Sequence, residues 1–261
     1  MPLVTLDDGL TLHYRIDGRA DAPALIFSNS LGTDLSMWDA QAAALDDRFQ
    51  IVRYDTRGHG GSGVPPGPVS LERLGRDLLA LLDCLDIVQA HLCGLSLGGL
   101  TAQWLAVHDP KRVARLVLSN TAARIGSAET WETRIAAVTA GGMDAIAETV
   151  LARFFSPAFR AAQLTTVAAF DAGLRATDPT GYAACCAALR DANLRPASAN
   201  ITAPTLIIAG ALDESTPVAQ AQELAAAILG SELAILDGAA HLANVERPEA
   251  FNILLRRFLL S

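Results

Sequence analysis

Three side chains set the chemistry open to this chain: a serine in a glycine-flanked turn, then an aspartate, then a histidine. The serine is Ser96, within Gly94-Leu95-Ser96-Leu97-Gly98. An apolar run, Val88 to Cys93, precedes it, and an apolar-periodic run, Leu97 to Val107, follows it. That pattern reads as strand, sharp turn, helix, a turn that lifts one side chain clear of a sheet at a helix N-terminus. Glycines two residues either side leave the strained turn free of a Cβ. A hydroxyl is a weak nucleophile until a base takes its proton, so Ser96 requires a base and a group to orient that base.

The acid expected for this role is Asp213, in Gly210-Ala211-Leu212-Asp213-Glu214, just past a strand over Thr205 to Ala209. Glu214 is its rival, one residue farther from the strand end. The base expected is His241, in Asp237-Gly238-Ala239-Ala240-His241, after a strand over Leu233 to Leu236. Of the five histidines, His13 falls in an edge hairpin, His91 inside the strand before Ser96, and His108 at a helix end. His59, in the glycine loop Asp55 to Ser62, is the competitor. Serine, acid and histidine at successive strand ends are the set for acyl transfer through a covalent intermediate. That chemistry also needs two N–H donors aimed at the developing oxyanion. The amide of Leu97, next to the nucleophile, is one. Leu31, in the small-residue loop Asn29-Ser30-Leu31-Gly32, is placed by position to give the other.

The elements that must hold these groups alternate between short apolar runs and amphipathic stretches. Leu10, Leu12, Tyr14 and Ile16 alternate with polar residues behind Asp7-Asp8-Gly9, which reads as an edge hairpin. Strands are expected at Ala24 to Phe27, Phe49 to Tyr54 and Val113 to Leu118, besides those already placed. Helices are expected from Ser70 to Leu85, with Ser70 as cap, from Pro217 to Leu229, and from Pro248 to Leu260. The alternation predicts an α/β fold with a mostly parallel, twisted sheet flanked by helices. Residues 121–195 break the rhythm. They are alanine-rich, with breaks at Gly141-Gly142, Ser156-Pro157, Asp178-Pro179 and Arg195-Pro196, and read as a helical lid inserted into a core of residues 1–120 and 196–261.

Composition narrows the partners. The chain has 261 residues, 51% of them apolar, and a formal net charge of −8. That charge argues against nucleic acid and against anionic membranes, while a local arginine cluster can still hold a small anion. No apolar run is long enough to span a bilayer. The start, Met1 to Thr5, lacks the basic and apolar stretches of a secretory leader. Cys84, Cys93, Cys185 and Cys186 lack C-x-x-C spacing, so reduced thiols in a cytoplasmic protein are expected and no metal centre.

Taken together, these residues resemble the α/β-hydrolase family over essentially the whole chain, including Gly210-x-x-Asp213, His241 and Glu246-x-Pro248. One departure is Asn29-Ser30, where many members carry His-Gly. Three stretches are similar to the enol-lactonase branch, whose members open 3-oxoadipate enol-lactone in bacterial aromatic breakdown. They are Ser28 to Thr33, Tyr54 to Gly60, and Tyr182 to Asp191. The resemblance implies a serine hydrolase that needs no cofactor and takes a small anionic lactone. Its carbonyl would sit at Ser96 and its acetate arm against the lid. A buried carboxylate needs a donor, and the lid and its edges offer Arg124, Arg134, Arg153, Arg190 and Arg195, besides the indole N–H of Trp131. Trp131 and Arg134, three apart on one helix face, rank first, and Arg190 next because it lies in the third stretch. Rival readings are a general esterase or cofactor-free perhydrolase with the same triad, and a ligand receptor on a hydrolase fold. Oligomeric state is not legible.

Overall fold

The computed structural model describes residues 2–261, leaving Met1 outside. One eight-stranded sheet runs through it. Its strands are β1 (Leu3–Thr5), β2 (Thr11–Gly18), β3 (Ala24–Ser28), β4 (Gln50–Tyr54), β5 (Ala90–Leu95), β6 (Val113–Ser119), β7 (Thr205–Gly210) and β8 (Glu232–Leu236). Their spatial order is β1-β2-β4-β3-β5-β6-β7-β8. β2 runs antiparallel to both its neighbours, and every pairing from β4 to β8 is parallel. The hairpin and the apolar runs thus fall where the sequence places them. β3 and β7 are buried along their whole length, as expected of parallel strands covered on both faces. β8 is the edge, and its side chains are mostly exposed.

Two helices are already at work near the sheet centre. In α2 (Leu71–Cys84), Leu71, Leu74, Leu78, Leu81 and Leu82 form one buried stripe, and the Ser70 hydroxyl caps it by accepting from the Arg73 amide. α3 (Leu97–His108) is buried over most of its surface, because it packs on α2 as well as on the sheet. After β3 a short 3₁₀ turn, Leu35–Trp38, leads into α1 (Asp39–Leu45), for which the sequence offers no clear periodic signal. The fully buried Trp38 stacks on Phe27 there, with ring centroids 4.6 Å apart.

Between β6 and β7 lie five helices: α4 (Ala128–Gly141), α5 (Ala147–Phe154), α6 (Pro157–Ala162), α7 (Leu164–Ala176) and α8 (Pro179–Asp191). Ser127, Ser156 and Asp178 cap α4, α6 and α8, which explains breaks at Ser156-Pro157 and Asp178-Pro179. The break at Gln163 carries no glycine or proline to mark it in the sequence. The chain closes with α9 (Val218–Ala227), a single turn α10 (Ala243–Glu246), and α11 (Pro248–Leu259). No helix among the described residues is long and apolar enough to cross a membrane.

Candidate active site

Because β3, β5, β7 and β8 are parallel, the loops that leave their carboxyl ends share one edge of the sheet. Ligand sites of open α/β sheets form at that edge. Ser96 sits in the turn between β5 and α3 with φ 58° and ψ −115°, a conformation that L side chains rarely adopt. The surroundings over-determine it. The Ser96 amide donates to the Ser119 carbonyl at 3.1 Å, and its carbonyl accepts the Thr121 hydroxyl at 2.8 Å. The flanking glycines are required by contact: a Cβ on Gly94 would strike the Gly98 carbonyl, and one on Gly98 would strike the Ser28 carbonyl.

Asp213, buried, accepts from His241 Nδ1 at 2.8 Å. Glu214 is exposed, so the rivalry between the two carboxylates resolves on burial and geometry. Burial alone would raise the Asp213 pKa. The attraction of the His241 imidazole and the hydrogen bonds from His241, Thr216 and Asn120 outweigh it, so the carboxyl is held down to about 2. Asn120 was not singled out by the sequence. It stands at φ 44° and gives its amide N–H to Asp213 at 2.9 Å and to the Ala240 carbonyl at 3.1 Å. With His241 Nδ1 bonded to the carboxylate, Nε2 is the ring nitrogen without a partner among the described residues. Ser96 and His241 line one cavity together with Leu31.

The amides of Leu31 and Leu97 have no acceptor among the described residues. Leu97 is the first residue of α3, where helix N–H groups lack intrahelical partners and the dipole favours negative charge. The loop that carries Leu31 is held from three sides. Asn29 accepts from the Trp38 indole at 3.0 Å and donates to the Tyr54 carbonyl at 2.9 Å, while the Asn29 carbonyl accepts the Gly98 amide at 2.9 Å.

His59 is a further support. Its Nε2 accepts the Gly32 amide at 3.0 Å, and its Nδ1 donates to the Arg57 carbonyl at 3.2 Å. Both ring nitrogens are therefore committed, and His59 is not among the groups facing Ser96. Burial lowers its pKa, against smaller opposing effects of the Arg57 carbonyl, Asp55 and Asp34. The contribution of neutral His59 to stability is fully present above the ordinary histidine value of 6.5 and is lost as pH falls through its lowered value. His59→Ala is expected to lower Tm and to reduce kcat far less than His241→Ala. The Tm gap from wild type should be widest above neutrality and should narrow on acidification in a melt series. A pH-independent gap would contradict the stated role.

The inserted helices supply the cavity's far wall, including Trp131, Arg134, Arg153 and Tyr182. Trp131 and Arg134 share a face as expected, with the guanidinium 5.4 Å from the indole centroid. One expectation is corrected: the Trp131 indole N–H is not free for a ligand, because it donates to the Ile125 carbonyl at 2.7 Å. A buried indole N–H must find a partner, and the chain just before α4 supplies it. Arg134 donates to the Tyr182 hydroxyl at 3.3 Å and has no carboxylate partner among the described residues. Neither has Arg153, which is exposed at the cavity. Arg190 is not brought to this cavity. It pairs with Asp191 and faces a separate groove beside Ile135 and Val138. Arg190 lies eight positions beyond Tyr182 on α8, about 12 Å along the axis, so the two ends of that stretch serve different places.

A strained serine turn at the end of β5, a buried Asp213–His241 pair and two unpartnered amides on this sheet define an α/β hydrolase. The chain belongs to the α/β-hydrolase family, whose model matches residues 23–248. Among its relatives, 3-oxoadipate enol-lactonase 2 of Acinetobacter baylyi is 47% identical, covering 97% of this chain and 96% of its own length. 3-Oxoadipate enol-lactonase 1 of the same organism is 39% identical, covering 99% and 97%. The crystal structure of the enol-lactonase from Burkholderia xenovorans superposes with a TM-score of 0.98 at 44% identity, covering 100% of both chains.

Proposed function

We propose that this chain is a cytoplasmic serine hydrolase that opens the ring of 3-oxoadipate enol-lactone, with Ser96 as nucleophile, His241 as base and Asp213 as its orienter. The helices of residues 121–195 act as its lid. The observation that carries the substrate class is Arg134, a cation without a carboxylate partner in the Ser96 cavity of a chain with a net charge of −8. Likeness to two relatives named for that lactone supports the particular substrate.

Ser96 Oγ attacks the lactone carbonyl carbon while His241 Nε2 takes the hydroxyl proton. The Leu31 and Leu97 amides hold the oxyanion of the tetrahedral intermediate. The bond to the ring oxygen then breaks, and His241 returns its proton to the departing enol oxygen. Ring opening keeps the leaving group tethered to the acyl-enzyme through the carbon chain. His241 next takes a proton from water as the water oxygen attacks the acyl carbon; the bond from that carbon to Ser96 Oγ then breaks, and His241 gives the proton to Oγ, restoring the serine hydroxyl. The enol tautomerises to the ketone, which draws the reaction forward. Every step uses side chains and backbone amides of this chain.

The test is ring-opening of 3-oxoadipate enol-lactone, followed by loss of its ultraviolet absorbance, beside turnover of an uncharged aryl ester. A large preference for the lactone is expected; equal kcat/KM on both would sink the proposed specificity. Arg134→Ala is expected to raise KM for the lactone by roughly 10- to 100-fold, the worth of a charge-assisted hydrogen bond. It should spare the aryl ester. Arg190→Ala should change neither. Equal losses on both substrates in Arg134→Ala would remove it from carboxylate recognition.

A further inference from the structure

Glu246 is buried, belongs to none of the steps above, and has no lysine or arginine partner among the described residues. A carboxylate in such a place is costly unless donors surround it. Three do, and they come from two directions. Oε1 accepts the Ala240 amide at 2.8 Å and the Ser156 amide at 3.0 Å, and Oε2 accepts the Ser156 hydroxyl at 2.7 Å. Ala240 immediately precedes His241. Ser156 lies between α5 and α6, in the inserted helices.

The other side of the histidine is tied to the same corner. The Leu242 amide donates to the Phe154 carbonyl at 3.0 Å. The Phe154 ring lies nearly parallel to the His241 imidazole, 13° between planes and 6.4 Å between centroids. The loop that carries the base is thus braced at residues 240 and 242 against the Phe154–Ser156 corner.

We propose that Glu246 is a positioning residue: a strut whose length holds the His241 loop against the Phe154–Ser156 corner and so fixes the imidazole in the attitude Ser96 needs. This rests on the reading of His241 as the base. The strut works by reach and acceptor geometry, not by charge. Glu246→Gln keeps the reach. Its Oε1 still accepts both backbone amides, and its Nε2 faces the Ser156 hydroxyl, which rotates to accept. Glu246→Asp keeps the charge but is one methylene shorter, by about 1.5 Å, so it cannot serve Ala240 and Ser156 together.

The experiment compares these variants and Ser156→Ala, which removes the hydroxyl arm together with the cap of α6 and keeps the Ser156 amide arm. The readouts are kcat and KM on p-nitrophenyl acetate and on the enol-lactone, Tm, and the low-field proton resonance of the His241 Nδ1–H. Glu246→Gln should keep near-native kcat. Glu246→Asp should lose kcat by roughly 10- to 100-fold on the aryl ester, the scale of an ångström-level misplacement. Its KM should change far less, and its low-field resonance should shift or broaden. Ser156→Ala should move kcat the same way by less. Native kcat in every folded variant that breaks an arm overturns the proposal, as does a loss in Glu246→Gln equal to that in Glu246→Asp. The aryl ester needs the triad but not an anionic pocket, so wild-type failure on the lactone alone would fall on the proposed function and leave the strut test standing.

Discussion

Ser96→Ala is expected to lower kcat by roughly 10⁴- to 10⁶-fold while leaving Tm and KM close to wild type, because serine, base and orienter act as one unit. Retention of the fold follows from how the turn is held. The Ser96 amide and carbonyl make its bonds to Ser119 and Thr121, and the hydroxyl makes none with the described residues. The φ of 58° is imposed by that frame and by the Gly94 and Gly98 contacts. The residual rate belongs to the Leu31 and Leu97 amides and to substrate binding. His241→Ala should fall to a similar level, and the double variant should lose little beyond either single one. Steady-state kinetics on purified, folded protein checks this. Near-native turnover in Ser96→Ala would remove it as nucleophile.

The strands and the gathering of Ser96, Asp213 and His241 at one sheet edge were legible because each has a local signature. A continuous apolar run that ends in small residues is a buried parallel strand and its carboxyl-end loop, and Ser96, Asp213 and His241 each sit in such a loop. What was illegible depends on contacts between residues far apart in sequence. Asn120 meets Asp213 across 93 positions, and nothing near Asn120 announces it. Glu246 could be recognised only as part of a familiar motif, because its donors at Ser156 lie 90 positions away. The arginines show the same limit from the other side. Helical periodicity puts Trp131 and Arg134 on one face, but membership of the stretch Tyr182 to Asp191, which ranks Arg190 next, cannot say which end of that helix faces the serine. His59 was a fair competitor by loop type alone. Only its bond to the Gly32 amide reveals a support for the loop that carries Leu31.

Asp213→Asn is expected to cost kcat roughly 10⁴-fold through the histidine tautomer alone. Asp213 Oδ1 accepts the amides of Ser215 at 2.8 Å and Thr216 at 3.1 Å. Those two backbone donors cannot turn away, so the amide oxygen of an asparagine must take that place and its NH₂ must take the place of Oδ2. Oδ2 now accepts His241 Nδ1 at 2.8 Å, the Thr216 hydroxyl at 2.6 Å and Asn120 at 2.9 Å. The hydroxyl can rotate to accept, but the imidazole can match an NH₂ only by presenting an unprotonated Nδ1. Its proton then moves to Nε2, the nitrogen that must take the proton of Ser96, and the base is disabled with its position unchanged. Tm should fall only moderately, since the side-chain shape is kept. The low-field proton of the His241–Asp213 bond should vanish from the spectrum. In the wild type the carboxyl, held down to about 2, contributes stability that is present above its ordinary value of 3.8 and lost as pH falls through the folded value. Protonation of Asp213 is therefore expected well below the pH range in which a histidine base would lose activity. An Asp213→Asn enzyme that kept near-native kcat, or kept the low-field resonance, would show that His241 is oriented by something other than this carboxylate.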